Sequence, residues 1–255
     1  MKDEILTFYR EQSAITRPGK HSALFTDLPQ SIEALCKIVQ GLIIHYDCGD
    51  LYGCQIPAER EREMDTRYVE HMLERILKRD PHPLSEARVP ELRLVGCCRD
   101  FSTMLCSMLR SQGIPARIRM GFASYIDVGP GFSIDHVVVE YWHEGEGRWR
   151  MVDPQMDALL IKINGIDFDV QNIPAGRFLT GGEAWRRCRA GEADPDTFGI
   201  HPEDKEIRGW WLVRDKLVQD LAALNRVEML CWDAWGMMRG KEISDEDSRL
   251  LERIA

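Results

Sequence analysis

The chain has no apolar run long enough to span a bilayer. Its first residues, Met1-Lys2-Asp3-Glu4-Ile5-Leu6, put acids where a secretion signal carries basic residues. Both absences point to a cytoplasmic protein with no membrane partner. Basic runs are equally scarce: the longest is Arg186-Arg187-Cys188-Arg189 in a chain of formal net charge -9, which excludes a phosphate-tracking surface and nucleic acid as a partner. Neither Gly-x-Gly-x-x-Gly nor a phosphate-loop pattern occurs, so nothing supports a bound nucleotide, and no cofactor is expected. Repeats and low-complexity segments are also missing. The chain contains 8 cysteines, yet no two stand as Cys-x-x-Cys. In a chain this long without a secretion signal they read as reduced thiols rather than a disulfide scaffold. The adjacent pair Cys97-Cys98 agrees, because neighbouring residues bridge only with strain.

What is present suffices for a core: 44% of the 255 residues are hydrophobic, which suits one compact unit. Residues 1–28 read as an arm laid on that body. Ser31 is placed to cap a helix from Ile32 to about Ile44, with Leu35, Ile38, Val39 and Leu42 on one face. His45 to Pro57 is aperiodic and dense in Gly, Asp and aromatic residues, hence a loop. A second helix is expected from Ala58 to Lys78, striped by Tyr68, Val69, Met72, Leu73, Ile76 and Leu77 and closed by Asp80-Pro81-His82-Pro83. Far downstream, Trp210-Trp211-Leu212-Val213 with Leu217, Leu221 and Leu224 gives another helical apolar face. The unit therefore divides into a helical N-terminal part (1–93), a core (94–155) and a C-terminal helical extension (156–255).

The chemistry centres on Val95-Gly96-Cys97-Cys98-Arg99-Asp100-Phe101. Gly96 breaks the preceding chain, and Phe101, Leu105, Met108 and Leu109 then run at helical spacing to a stop at Gly113-Ile114-Pro115. Cys98 thus starts a helix, where unpaired N–H groups and the positive end of the dipole favour a thiolate. Cys106, two turns on, reads as core. Ala116 to Phe122 alternates like a strand, and a helix followed by antiparallel-looking strands indicates an α+β architecture. His136 opens the strand-like Val137-Val138-Val139, and Asp153 closes Arg148-Trp149-Arg150-Met151-Val152. Nucleophile, base and orienting acid follow in that chain order. Asp135 reads as a surface or hydrogen-bonding residue.

Gly-x-Cys-Arg-Asp-Phe, a Leu-rich helix, Gly-Ile-Pro-Ala-Arg, Asp-His before a Val-rich strand and Trp-x-x-Val-Asp-Pro stand in order between Leu94 and Gln155. This series resembles the core of the transglutaminase-like superfamily. The resemblance implies a papain-like fold in which the cysteine helix packs on an antiparallel sheet. It also implies a Cys-His-Asp triad of Cys98, His136 and Asp153, with Cys97 in the variable position of Gly-x-Cys. Many relatives carry an aromatic residue soon after the histidine, where this chain has Val137-Val138. Residues 221–235 also resemble uncharacterised bacterial transglutaminase-domain proteins of similar length. There Asn225, Glu228 and Asp233 either brace helices or line a pocket around the cysteine.

The implied activity is acyl transfer through a thioester at Cys98, on a peptide, amide or thioester substrate. Hydrolysis or amide formation on a small molecule is preferred to protein crosslinking, because no calcium-loop pattern is present. The backbone N–H of Cys98 can serve as one oxyanion donor, and Gln55, Tyr52 or Tyr46 could supply a second. Two other classes remain open: a non-catalytic binding or scaffold protein on the same fold, and a metal-binding protein using His45, Cys48 and Cys54. That loop offers at most three ligands, so no metal is assigned. The sequence leaves the oligomeric state open.

Overall fold

Why the cysteine ends up where it does follows from short segments that change conformation at defined residues. The protein is described from a computed structural model covering residues 2–255, so of the acidic start only Met1 lies outside the described residues. Helix α1 spans Lys2–Arg10 and α2 spans Ile32–Leu42. Ser31 caps α2, its hydroxyl accepting the Ala34 N–H at 3.0 Å, and Leu35, Ile38, Val39 and Leu42 are buried beneath it. The helix stops short of Ile44 because the β-branched pair Ile43-Ile44 leaves it as strand β1 (Ile43–His45). The expected single helix from Ala58 to Lys78 is two elements. Ala58–Asp65 is a 3-10 segment, and α3 runs Val69–Arg79. The break falls where the guanidinium of Arg99 donates to the carbonyls of Thr66 and Arg67 at 3.4 and 2.7 Å, a bonding pattern the helix interior does not offer.

Strand β2 (Leu94–Gly96) pairs in parallel with β1 and delivers the chain to α4 (Cys98–Ser111). Strands β3 (Ala116–Ala123), β4 (Ser133–His143) and β5 (Arg148–Val152) then run antiparallel, with Gly121 opposite His136 and Val139 opposite Val152. After α5 (Ala158–Ile163), strand β6 (Phe178–Thr180) joins the outer side of β3 and leads into α6 (Gly181–Arg189). The two-residue β7 (Phe198–Gly199) pairs in parallel with the start of β4, and α7 (Trp210–Leu224) and α8 (Asp245–Ile254) complete the chain. The sheet order β5-β4-β3-β6 with α4 laid on it is the α+β, cysteine-helix-on-sheet architecture that the resemblance implied.

Helix α4 packs on the face carrying Ile118, Met120, Val137 and Val139. On the odd-numbered face of β3, α7 contributes Asp220, which accepts from Arg119 at 3.0 and 2.8 Å. Between β3 and β6 only glycine fits, since a Cβ on Gly121 would lie 2.0 Å from the Leu179 carbonyl oxygen. Among the described residues no helix is long and apolar enough to cross a membrane.

The arm of residues 1–28 lies on α4: Ser107 Oγ donates to the Thr16 carbonyl at 2.6 Å, and Gln12 Nε2 donates to the Ser107 carbonyl at 2.9 Å. Arm, helix and tail meet at a buried ion pair. Arg110 donates to Glu228 at 2.8 Å with both side chains at 0% exposure, and Ser13 Oγ donates to the other Glu228 oxygen at 2.7 Å. Glu228 therefore braces helix, arm and tail rather than lining a pocket. Removing it strands a buried guanidinium, so Glu228→Ala should lower unfolding free energy by about 3–5 kcal/mol in urea titrations. A loss under about 1 kcal/mol, the scale of an exposed pair, would contradict this account of the brace.

Candidate active site

Cys98 is the first residue of α4 and is 9% exposed. Cys97, before it, is extended, and its N–H donates to Asp100 Oδ2 at 2.8 Å, half of the reciprocal cap that fixes the helix start. The Cys98 N–H stands at the first helical position, where amides have no intrahelical partner. One turn later Ser102 Oγ donates to the Val137 carbonyl at 2.9 Å, which sets this end of α4 against the strand beside His136.

His136 is 2% exposed on β4, and its Nε2 is bonded to Asp153 Oδ2 at 2.7 Å. The same oxygen accepts the Tyr125 hydroxyl at 2.7 Å, while Asp153 Oδ1 accepts the Gln155 N–H at 3.0 Å. A carboxylate so placed holds the proton on Nε2 and leaves Nδ1 for other work. Burial and the adjacent Asp153 push the Tyr125 phenol well above its usual range, so it stays a donor. Tyr125 meets the imidazole edge to face at a centroid distance of 6.2 Å. The aromatic neighbour of the histidine thus comes from the loop after β3 and not from the residues following His136.

The polar neighbours of the Cys98 sulfur are Cys97 and Cys231, and the three sulfurs lie within 4.8 Å of one another. Cys231 arrives from the tail beyond α7. Arg99 donates to the carbonyls of Glu228 and Met229 at 2.8 and 3.2 Å, and the Cys231 carbonyl accepts from Gln219 Nε2 at 3.0 Å. Hydrogen bonds from Cys97 and Cys98, reinforced by Lys216 and Arg99, draw Cys231 well below the ordinary thiol range. Cys98 is held well above it, chiefly by its hydrogen bond to Cys231 and by burial. Cys98 therefore does not stand alone at the helix terminus: its sulfur is hydrogen-bonded within a trio in which Cys231 is the member drawn toward the thiolate. Lys216 itself is 1% exposed. Burial opposes its charge, but Asp135 at 2.8 Å and the neighbouring thiols hold it above the usual lysine range. Asp135, expected at the surface or in a hydrogen bond, is that counter-ion, and burial raises its carboxyl to about 6.

Of the three candidate oxyanion side chains, Tyr46 is near the sulfurs. It is 42% exposed, its ring lies 4.6 Å from that of His45, and burial with nearby Asp47 and Cys98 raises its phenol to about 12. The Tyr52 hydroxyl instead donates to Asp157 at 2.8 Å, and Gln55 is exposed. His45 is kept neutral, its pKa lowered to about 4 by burial and by His136. The loop pair Cys48 and Cys54 does not form the cluster of ligand-type side chains. Among the described residues that cluster is Cys97, Cys98 and Cys231. Cys231, Lys216 and Tyr125 were not singled out by sequence. For Cys231 the one available signal was the mixing of polar and apolar residues after Leu221, and Lys216 and Tyr125 gave none, since each reaches the site only through tertiary contact.

Residues 51–154 match the family model described as the transglutaminase-like superfamily. Among solved structures the chain is similar to a "Putative Cysteine Protease" from Cytophaga hutchinsonii, with a TM-score of 0.41 and 14% identity over 71% of this chain and 46% of that one. It spans less than half the length of that protein. No curated protein matches it in sequence. Cys98, His136 and Asp153 fall inside the matched stretch, whereas Tyr46, Lys216 and Cys231 fall outside it.

The charge distribution predicts which sulfur reacts first with iodoacetamide. Peptide mapping of the reduced protein below the free-thiol pKa of roughly 8.5 should find Cys231 alkylated before Cys98. Lys216→Met should slow that labelling about tenfold, corresponding to one pKa unit lost with the buried cation. Preferential labelling of Cys98, unchanged by Lys216→Met, would show that the charge lies elsewhere.

Proposed function

We propose, from the match of residues 51–154 to the transglutaminase-like superfamily, that this chain is a cysteine-dependent acyl-transfer enzyme. The observation that carries this reading is the 2.7 Å bond between His136 Nε2 and Asp153, made beside a helix whose first residue is Cys98. It is the geometry a base needs when it must hold one tautomer and present its other nitrogen to a sulfur nucleophile. His136 Nδ1 takes the thiol proton as Cys98 Sγ attacks the carbonyl of an amide or thioester, and the negative charge moves to the carbonyl oxygen. The Cys98 N–H is placed to receive that oxyanion, and the rim phenol of Tyr46 is the second donor. Protonated His136 then gives its Nδ1 proton to the departing amine or thiol, which leaves a thioester on Cys98. Water or an amine enters with His136 as base, the S–acyl bond breaks, and the thiol is restored.

Asp153 and Tyr125 act as positioning residues, setting the imidazole's tautomer and tilt. The triad is nearly closed, with Cys98, His136 and Asp153 at 9%, 2% and 1% exposure. A site this enclosed suits a slender acyl donor, either a small molecule or an extended chain end, better than a side chain on a folded protein. Hydrolysis or small-molecule amide formation is accordingly preferred to crosslinking.

The test is direct detection of the acyl-enzyme. Incubation with a panel of activated amides and thioesters, quenched in acid, should add one acyl mass to the intact protein, mapped to Cys98 and absent in Cys98→Ala. His136→Ala should lower kcat/KM by about 10²–10⁴-fold, the usual contribution of a positioned acid-base group. Added hydroxylamine divides hydrolysis from transfer by the product formed. No adduct on Cys98 across the panel, or a His136→Ala variant as fast as wild type, would favour a binding protein on this fold.

A further inference from the structure

Three sulfurs from two distant parts of the chain meet where acyl transfer needs only one. Cys97 and Cys98 begin α4, while Cys231 is brought more than a hundred residues round the chain and fixed from both sides. Buried Arg99 holds the carbonyls just before it, and Gln219, 1% exposed, holds the carbonyl of Cys231 itself. The Leu230 N–H donates to Asp233 at 3.0 Å, and Asp233 is paired with Arg67 at 2.9 Å. So much anchoring of one cysteine next to two others is a built arrangement, and the proposed acyl-transfer steps assign it no part.

We infer that Cys97, Cys98 and Cys231 form a three-thiolate site for a soft divalent cation of the zinc class. Zinc–sulfur bonds of about 2.3 Å in a tetrahedral site put sulfurs about 3.8 Å apart, so a trio already within 4.8 Å needs to close by at most about 1 Å. Three thiolates on a divalent ion leave one net negative charge, and Lys216 and Arg99, both buried, stand within electrostatic reach of Cys231 to offset it. Cys231 is the least buried of the three, and a water or other exogenous group would complete the fourth corner. Binding exchanges each remaining S–H proton for a metal–sulfur bond, so uptake releases protons and tightens as pH rises. A vicinal disulfide between Cys97 and Cys98 is the strained alternative for these atoms.

Occupancy would engage the Cys98 sulfur, so that the metal silences the nucleophile. This consequence rests on the acyl-transfer reading, whereas the uptake does not. The fully reduced full-length chain, dialysed with zinc and then against a weak chelator, should retain one zinc per chain. Cobalt in its place should show thiolate-to-metal charge-transfer absorption. Cys231→Ser and Cys97→Ser should each weaken zinc binding at least about 100-fold, the upper end of what losing even a supporting hydrogen bond costs a metal site. Serine suits the helix-capping position, so Cys97→Ser tests the ligand without loosening α4. Cys48→Ser, in the neighbouring loop, should bind as wild type does. Absence of retained metal, binding untouched by both ligand variants, or a reduced protein that only oxidises to a Cys98–Cys231 disulfide would overturn the site. Because no substrate is involved, an inactive chain can still bind zinc, and an active chain that binds none refutes the site alone.

Discussion

The buried guanidinium of Arg99 is the interaction on which the rest depends. At 0% exposure it cannot be hydrated, and it is satisfied by the carbonyls of Thr66, Arg67, Glu228 and Met229 and by the Asp100 carboxylate. Those partners belong to the N-terminal half, the cysteine helix and the tail. The residue that follows Cys98 thus fixes where three separate segments meet, and each meeting has a structural consequence. At Thr66-Arg67 it ends the 3-10 segment and lets α3 begin anew. At Glu228-Met229 it sets the path that brings Cys231 to Cys98. A lysine, with three donors on a flexible stem, could not reach so many carbonyls at fixed angles.

Arg99 is accompanied by further buried charge, and the charges are arranged to cancel locally. Lys216 is paired with Asp135, Arg110 with Glu228, and Arg119 with Asp220 and Glu140. Two of these pairs, together with Arg99, hold elements of the C-terminal part against α4 or β3. Lys216 is the exception in purpose, because its field also reaches Cys231 and Cys98. The sulfur cluster therefore lies beside two buried cations, Lys216 and Arg99, whose field favours a negative charge on it. The protons among the three sulfurs decide which atom carries that charge.

Local signals made the elements that carry the proposed triad legible. A glycine break before an apolar 3.6-residue period located the start of α4, an alternating run located β3, and two strand-like runs joined by a Gly-rich turn located β4 and β5. With those elements known, the order of Cys98, His136 and Asp153 was enough to suggest their meeting. The break at residues 66–68 was not legible, because the stripe of Val69, Met72, Leu73 and Ile76 continues a polar run that has good helix propensity, and only Arg99 interrupts it. Leu221 shows the opposite limit. It belongs to the apolar stripe read from α7, yet it is 38% exposed, while Lys216 and Asp220 on the same helix are buried by their partners on β4 and β3. Hydrophobic period reports a preference for the interior, and ion pairing can override it residue by residue.

For the proposed acyl transfer, the contrast between the two halves of the site decides where movement must occur. His136 sits in a sheet strand, charge-bonded through Nε2 to a carboxylate that is itself tied to Tyr125 and Gln155, so the base is fixed at both ends. Cys98 is held by its backbone in a capped helix, but its sulfur is held only by other sulfurs, which are weak donors and weak acceptors. Rotation about one Cα–Cβ bond exchanges those weak contacts for others without disturbing helix or sheet. The imidazole has no comparable freedom. The nucleophile is thus the adjustable member of the pair, and a substrate or a metal that binds it acts on the softest coordinate in the site.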